Sequence, residues 1–344
     1  MLDDLKYIHE RDAQDALGIA EKQWQQLEYN FSLDFKPAAE IKNVVFAGMG
    51  GSALAALISA SWPGYSVPFE ICRNYEIPAW VGPDTLFIAS SYSGNTEETI
   101  EALKAARDKH AQIIVIASGG KLLAMAEEYG YPFELLPKTS QPRFGVLYSL
   151  KAYITILEKA GLVAAAAAES ELHQSSIFLR QSITSWLPTV PTKDNIAKLL
   201  ALELMGKSPV IYAGPKLFPA AYKWKISFNE NAKNVAWCNQ LPEFNHNEFL
   251  GWTSHPVEKL YGVIDLRSNL EHKRVQKRFE VSERLLSGKR PATHVVQVKG
   301  DTVLQELLWA VALGDFVSLY LALLNGINPT PVDLIEKFKL SLNK

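Results

Sequence analysis

Between residues 41 and 160 the chain repeats one pattern: a short apolar strand, a turn rich in glycine or hydroxyl side chains, then a helical run. The strands read as Asn43 to Ala47, Thr85 to Ala89, Gln112 to Ile116 and Tyr131 to Leu136, with a further one at Val67 to Ile71. Successive strand-turn-helix units make a parallel sheet the natural assembly, with the turns gathered at its carboxyl edge. Ser52, Ser91 to Thr96, Ser118 and Arg143 are therefore expected to meet in space. The fold class this predicts is α/β, with parallel sheets flanked by helices.

The turns carry the chemistry. After Thr85 to Ala89 comes Ser90-Ser91-Tyr92-Ser93-Gly94-Asn95-Thr96, and a helical pattern follows through Ile100, Leu103 and Ala106. The first amides of a helix lack intrahelical partners and lie at the positive end of its dipole, which suits a phosphate monoester. Hydroxyls at Ser91, Ser93 and Thr96 add donors, and Gly94 is expected to let the backbone approach the anion closely. The plainer reading is that these hydroxyls only cap the helix. A second turn, Gly48-Met49-Gly50-Gly51-Ser52, follows Asn43 to Ala47 and places the Ser52 hydroxyl at another helix start, with Gly50 and Gly51 shaping the backbone. No Lys follows Gly94, so this is not the nucleotide P-loop. The Gly48 to Ser52 turn lacks the full Gly-x-Gly-x-x-Gly spacing of dinucleotide sites.

Composition narrows the partners. With 35 basic and 37 acidic residues among 344 the net charge is −2, and no block of like charge calls for nucleic acid or an acidic membrane. Cys72 and Cys238 are too few for a disulfide framework or a cysteine zinc site. His9, His110, His173, His255, His272 and His294 show no metal-ligand spacing and read as structural. The start, Met1 to Lys6, is acidic and lacks a signal-peptide apolar core, and the small-apolar run Ala160 to Ala168 is far short of a membrane span. The expectation is a cytoplasmic protein with no cofactor and no bound metal.

The length suits about two domains. Residues 1–35 read as a polar helical segment with Trp24, Leu27 and Phe31 as a docking stripe. A first α/β domain follows over 36–165, a linker over 166–190, and a second α/β domain over 191–344. Val210-Ile211-Tyr212-Ala213-Gly214 echoes Val44-Val45-Phe46-Ala47-Gly48, which suggests a duplicated unit. In the second copy Pro215 and Lys216 replace the glycine pair, so the phosphate site is expected to be lost there. Trp309 to Leu324 reads as a buried helix, and the chain closes on an amphipathic helix through Ile335, Phe338 and Leu342.

Together the turns Gly48 to Ser52 and Ser91 to Thr96 resemble the sugar isomerase (SIS) domain. Three further stretches, Asn229-Glu230-Asn231-Ala232-Lys233, Leu241 to Asn247 and Ile335 to Leu342, resemble the bifunctional phosphoglucose/phosphomannose isomerase family. That resemblance implies two tandem SIS domains and a homodimer with His246 contributed across its interface. It also implies metal-free interconversion of glucose 6-phosphate, or mannose 6-phosphate, with fructose 6-phosphate, a step of glycolysis and gluconeogenesis. Phosphate binding carries over to Ser52, Ser91, Ser93 and Thr96, and catalytic roles to Arg143, Glu230, His246 and Lys339. Two departures stand out. Asn245 occupies a position where other members have a second His. Val332 lies where some members have a Thr associated with mannose 6-phosphate, with Thr330 two residues earlier.

The assigned side chains suit the chemistry. A carboxylate that takes the C2 proton and returns it to C1 suffices as base, which Glu230 supplies. A fixed guanidinium at Arg143 stabilises the enediolate, and His246 with Lys339 opens the sugar ring. Their plainer readings are a solvated Glu, a structural Arg ion pair, a loop His and a Lys at a helix end. A non-catalytic phosphosugar-binding sensor is the alternative, though residues 1–35 hold no evident DNA-reading segment. The isomerase half of an amidotransferase is a third reading, disfavoured because Met1-Leu2 offers no cysteine nucleophile.

Overall fold

The computed structural model describes residues 1–254 and 260–342, so His255 lies outside the described residues. The chain divides into two compact units, residues 22–179 and residues 1–21 with 180–344. Two short helices open it, α1 (Leu5–Arg11) and α2 (Ala16–Lys22). Asp4 accepts the Lys6 and Tyr7 amides at the start of α1. The Asp12 carboxylate does the same for Ala16 and Leu17 at 2.8 Å each, fixing the start of α2.

The segment expected as one helical piece over 1–35 is thus divided. Residues 1–21 group with the second sheet, while a 3₁₀ turn, Gln23–Glu28, groups with the first. Leu27 buries as expected, whereas Phe31 lies beyond the turn. Gln26 holds this segment in place by donating to the Phe144 carbonyl at 2.7 Å and accepting the Tyr148 amide.

In the unit 22–179 the elements run β1 (Asn43–Ala47), α3 (Leu54–Ser61), β2 (Phe69–Cys72), β3 (Thr85–Ser91), α4 (Glu97–Asp108), β4 (Gln112–Ala117), α5 (Gly120–Tyr129), β5 (Phe133–Leu135) and α6 (Val146–Lys159). All five strands pair in parallel in the order β2-β1-β3-β4-β5. Both faces of β1, β3 and β4 are covered, which is why these strands are nearly unbroken apolar runs. Val45, Phe87 and Val115 pack under α4 and α5 with Leu103, Ala106 and Leu122. On the opposite face the Phe46 ring meets Tyr153 of α6 at 4.9 Å. Most of the stretch expected as a linker is a helix, α7 (Ala165–Ile183). Its residues through Leu179 belong to this unit.

The other unit continues with α8 (Ile196–Glu203), β6 (Ser208–Ala213), α9 (Phe218–Glu230), β7 (Trp237–Gln240), α10 (Glu248–Gly251), β8 (Tyr261–Arg267), α11 (Lys273–Leu285), β9 (Thr293–Gln297), α12 (Val303–Leu324) and α13 (Asp333–Leu342). Its parallel sheet, β7-β6-β8-β9, has the strand order of β2-β1-β3-β4. The echo between residues 44–48 and 210–214 is therefore also a match of position, since β1 and β6 each pair with the next two strands of their own sheet. By length and composition α12 suffices to cross a bilayer, yet all of its apolar window is buried. One buried ion pair, Lys223 with Asp315, ties α9 to α12, and Ser227 donates to the same carboxylate at 2.8 Å.

Candidate active site

The hydroxyl turn after β3 is assembled from the backbone outward. Ser91 is the last residue of β3 and 1% exposed, and its Oγ lies 2.7 Å from Oγ1 of Thr96. Thr96 occupies the N-cap position of α4, but its hydroxyl makes no bond to the helix amides. The capping explanation therefore fails for Thr96, and a paired hydroxyl stands at the positive end of a helix. Ser52, in the 3₁₀ turn Gly50–Ala53 that leads into α3, accepts the Tyr92 amide at 3.1 Å. Ser52 is thereby locked to the turn that carries Ser91 and Thr96. Ser93 is exposed at the tip, its Oγ accepting the Asn95 amide at 3.3 Å.

Gly94 meets a demand that its local sequence context does not announce. It has φ 67°, and a Cβ there would lie 1.7 Å from the Gly119 carbonyl oxygen. That close approach is to the next turn of the sheet. Four bonds join those turns, from Leu122 N to the Gly94 carbonyl at 2.9 Å, from Ser118 N and Oγ to the Tyr92 carbonyl at 2.9 and 2.6 Å, and from Lys121 N to Asn95 Oδ1 at 3.1 Å. Ser118 reaches the carboxyl edge as expected, but its hydroxyl is committed to Tyr92.

Arg143 lies in a 3₁₀ turn, Pro142–Phe144, and is 1% exposed, its guanidinium 4.6 Å from the Phe144 ring. A Cβ on Gly51 would sit 3.5 Å from the Arg143 amide, so the Ser52 and Arg143 turns touch through Gly51. Gly50, at φ 51°, has open space around its missing Cβ. Sequence reasoning passed over Tyr92, whose hydroxyl bonds Pro137 and Thr139 in the segment leading to Arg143. One unit thus brings together Ser52, Ser91, Thr96 and the Arg143 turn, with Ser93 at the rim.

In the duplicated unit the corresponding turn is filled from within. Glu271, 7% exposed, follows β8 and accepts the Lys216 amide at 3.0 Å. A Cβ on Gly214 would lie 2.3 Å from the same carboxylate oxygen. The protein's own anion stands where the first unit presents hydroxyls. Pro215 and Lys216 mark the changed turn in the sequence, but nothing local marks Glu271.

Glu230 is the last residue of α9 and half-buried. Its neighbours are structural: Asn231, fully buried, donates to Ser318 Oγ at 2.9 Å, and Asn229 donates to the Asn234 carbonyl at 2.9 Å. His246 is exposed at the end of a 3₁₀ turn, Glu243–His246, between two anchored asparagines. Asn245 donates to Ser282 at 2.8 Å and accepts from Arg278, while Asn247 caps α10 through the Glu248 amide. The Asn that replaces a second His is thus a loop anchor. Lys339 lies on α13, whose residues are exposed, and pairs with Glu336 at 2.8 Å. Glu230, His246 and Lys339 share a unit but stand on three separate elements. Thr330 is 4% exposed in the segment before α13, and Val332 is half-buried.

Neither thiol is primed for nucleophilic work. Burial raises the Cys72 pKa and pushes Cys238 up to about 11, both away from the thiolate. Among the described residues no group of three or more His, Cys, Asp or Glu side chains gathers in a way that could hold a metal.

Two parallel α/β units, one with a hydroxyl-lined turn at a helix start, define a protein of the sugar isomerase class. Residues 39–128 match the SIS domain and residues 193–342 the bacterial phospho-glucose isomerase C-terminal SIS domain. The chain is 35% identical over 317 residues to a bifunctional phosphoglucose/phosphomannose isomerase of Caldicellulosiruptor bescii, covering 91% of this chain and 93% of that one. It belongs to the bifunctional phosphoglucose/phosphomannose isomerase family. A D-glucosamine-6-phosphate 4-epimerase of Sulfolobus acidocaldarius is 33% identical over 71% of this chain and 75% of its own. The fold is shared with a glucose-6-phosphate isomerase like protein from Thermus thermophilus, at a TM-score of 0.67 and 17% identity over 98% of both chains.

Proposed function

We propose that this protein interconverts glucose 6-phosphate and mannose 6-phosphate with fructose 6-phosphate. The observation that carries the reading is the end-to-end likeness to bifunctional phosphoglucose/phosphomannose isomerases, in a chain that retains a hydroxyl turn suited to a phosphate. In this reading Ser52, Ser91, Ser93 and Thr96 hold the phosphate, and His246 with Lys339 moves a proton to the ring oxygen to open the sugar. Glu230 then takes the C2 proton and returns it to C1 through a cis-enediol, while Arg143 stabilises the enediolate. Both C2 epimers collapse to the same enediol, so acceptance of mannose 6-phosphate needs only a tolerant contact at C2. Every proton transfer has a side chain assigned, and turnover should therefore survive excess chelator.

The reading also includes a cytoplasmic homodimer in which His246 completes the partner's site. Dilution to monomer should then abolish activity, and full activity in a sample that sediments as monomer excludes the shared site. The direct test follows fructose 6-phosphate formed from each substrate under chelation, in wild type and Glu230→Gln. Turnover of both that collapses in the variant supports the mechanism. Glucose turnover alone makes the enzyme monofunctional at Val332. Phosphosugar binding without turnover favours the sensor. Because one relative is named an epimerase, glucosamine 6-phosphate belongs in the same assay as a competing substrate.

A further inference from the structure

The chain leaves α9 in an unusual way. A left-handed residue just past a helix is ordinarily glycine, because a side chain there crowds the following carbonyl. Here that residue is Lys233, at φ 51°. A strained backbone outlier raises the question of what its side chain does.

The Lys233 ammonium donates to the Glu230 carbonyl at 2.9 Å, the Pro329 carbonyl at 2.9 Å and the Asn328 carbonyl at 3.2 Å, with the Asn231 carbonyl at 3.4 Å. Two of these belong to the end of α9, where carbonyls lack intrahelical donors and the dipole is negative. The other two belong to a segment nearly a hundred residues later, immediately before Thr330 and the start of α13. Around this cation the helix end is pinned again, by Asn231 on Ser318 of α12 and by Asn325 on the Ala232 carbonyl at 3.4 Å. Glycine would end the helix with less strain, whereas Lys233 carries an ammonium that joins the two segments.

We propose that Lys233 is a positioning residue. It staples the end of α9, and with it Glu230, to the Asn328–Thr330 segment, so that the base and the segment leading to the Lys339 helix are held in register. The proposal rests on the reading of Glu230 as the base. Lys233 acts through the main-chain carbonyls of the two segments it joins. Proton transfer requires reacting atoms about 3 to 3.5 Å apart, and a misplacement of about 1 Å costs about a hundredfold in rate.

The decisive variant is Lys233→Gly, which relieves the left-handed strain while removing the ammonium, with Lys233→Arg as its conservative counterpart. The staple predicts that Lys233→Gly still folds cooperatively, because relief of the left-handed strain offsets part of what the lost ammonium contacts contributed. Its kcat on glucose 6-phosphate should fall by about ten- to a hundredfold, with KM changed less than about twofold because the phosphate hydroxyls lie elsewhere in the chain. Arginine should restore kcat to within about tenfold of wild type. With substrate deuterated at C2, the fraction of label delivered to C1 rather than lost to water should also fall. Wild-type kcat and label transfer in Lys233→Gly would overturn the proposal and leave Lys233 a helix terminator.

Amide exchange without substrate separates the staple from the isomerase reading. Peptides spanning 228–234 and 326–334 should exchange at least about tenfold faster in Lys233→Gly, and unchanged exchange refutes the staple whatever the kinetics. Faster exchange in a protein whose wild type has no isomerase activity would keep the staple and remove the role given to Glu230.

Discussion

Replacing Gly94 by alanine measures how tightly the hydroxyl turn is built onto its neighbour. The new Cβ would lie 1.7 Å from the Gly119 oxygen, against an ordinary carbon–oxygen contact of about 3.3 Å, so the two turns must part by about 1.5 Å. That displacement breaks the three bonds joining Gly94 and Tyr92 to Leu122 and Ser118, at about 1 kcal/mol each. The left-handed backbone adds about 1 to 2 kcal/mol for a residue with a Cβ. Together these amount to about 4 to 5 kcal/mol, a fall in Tm of about 10 to 15 °C for a unit of this size. Gly130→Ala is the control, because Gly130 has nearly the same φ, 72°, at the end of α5 but nothing within 4 Å of its missing Cβ. It should bear only the backbone cost, about 3 to 6 °C. Calorimetric melts of the two variants, with inorganic phosphate inhibition measured alongside, check the argument. If both melt at the same temperature, close approach to Gly119 is not what holds the turn, and the reasoning fails.

Other perturbations probe the cradle and the core. Thr96→Val keeps the shape and removes the hydroxyl paired with Ser91; it should raise KM for the phosphosugar by about tenfold or more with kcat nearly unchanged, and an unchanged KM would remove Thr96 from the phosphate site. Glu134 on β5 is 5% exposed, and burial raises its carboxyl from 4.5 to about 7. A raised carboxyl stabilises the fold fully below pH 4.5 and loses that contribution as pH climbs through about 7, up to about 3 kcal/mol, so Glu134→Gln should flatten the fall in Tm between pH 5 and 8. Lys223→Met strands the buried Asp315 carboxylate and should cost about 3 to 5 kcal/mol in urea unfolding, most of it recovered in Lys223→Met/Asp315→Leu; a double variant as unstable as the single would mean the charge is not the cause.

Much of the architecture was legible in the chain because burial on both faces leaves a plain mark: β1, β3 and β4 are apolar runs, and each is followed by glycine or hydroxyl residues. The duplication was legible for the same reason, since central strands of equivalent sheets face equivalent packing. Residues 1–35 were harder, because grouping by sequence neighbourhood does not reveal which sheet a segment packs on. Gln26 docks through two hydrogen bonds to the start of α6, a polar contact that no apolar periodicity announces. The stretch 166–190 ends in Trp-Leu-Pro-Thr-Val, which reads as a connection, yet α7 covers most of it.

Local sequence determined which groups the protein offers: hydroxyls at Ser52, Ser91, Ser93 and Thr96 placed after strands, a carboxylate at Glu230 and a guanidinium at Arg143. Strand-turn-helix order sends such turns to one sheet edge whatever the loops contain. What each group does once there was decided by contacts between residues distant in the chain. Ser118 arrives at the edge but is taken up by Tyr92, and Gly94 answers to Gly119. Glu271 occupies the second unit's turn from the far side of β8, and Lys233 joins segments nearly a hundred residues apart. A hydrogen bond is satisfied by whichever partner the fold brings within about 3 Å, and proximity of that kind is written in the tertiary structure alone.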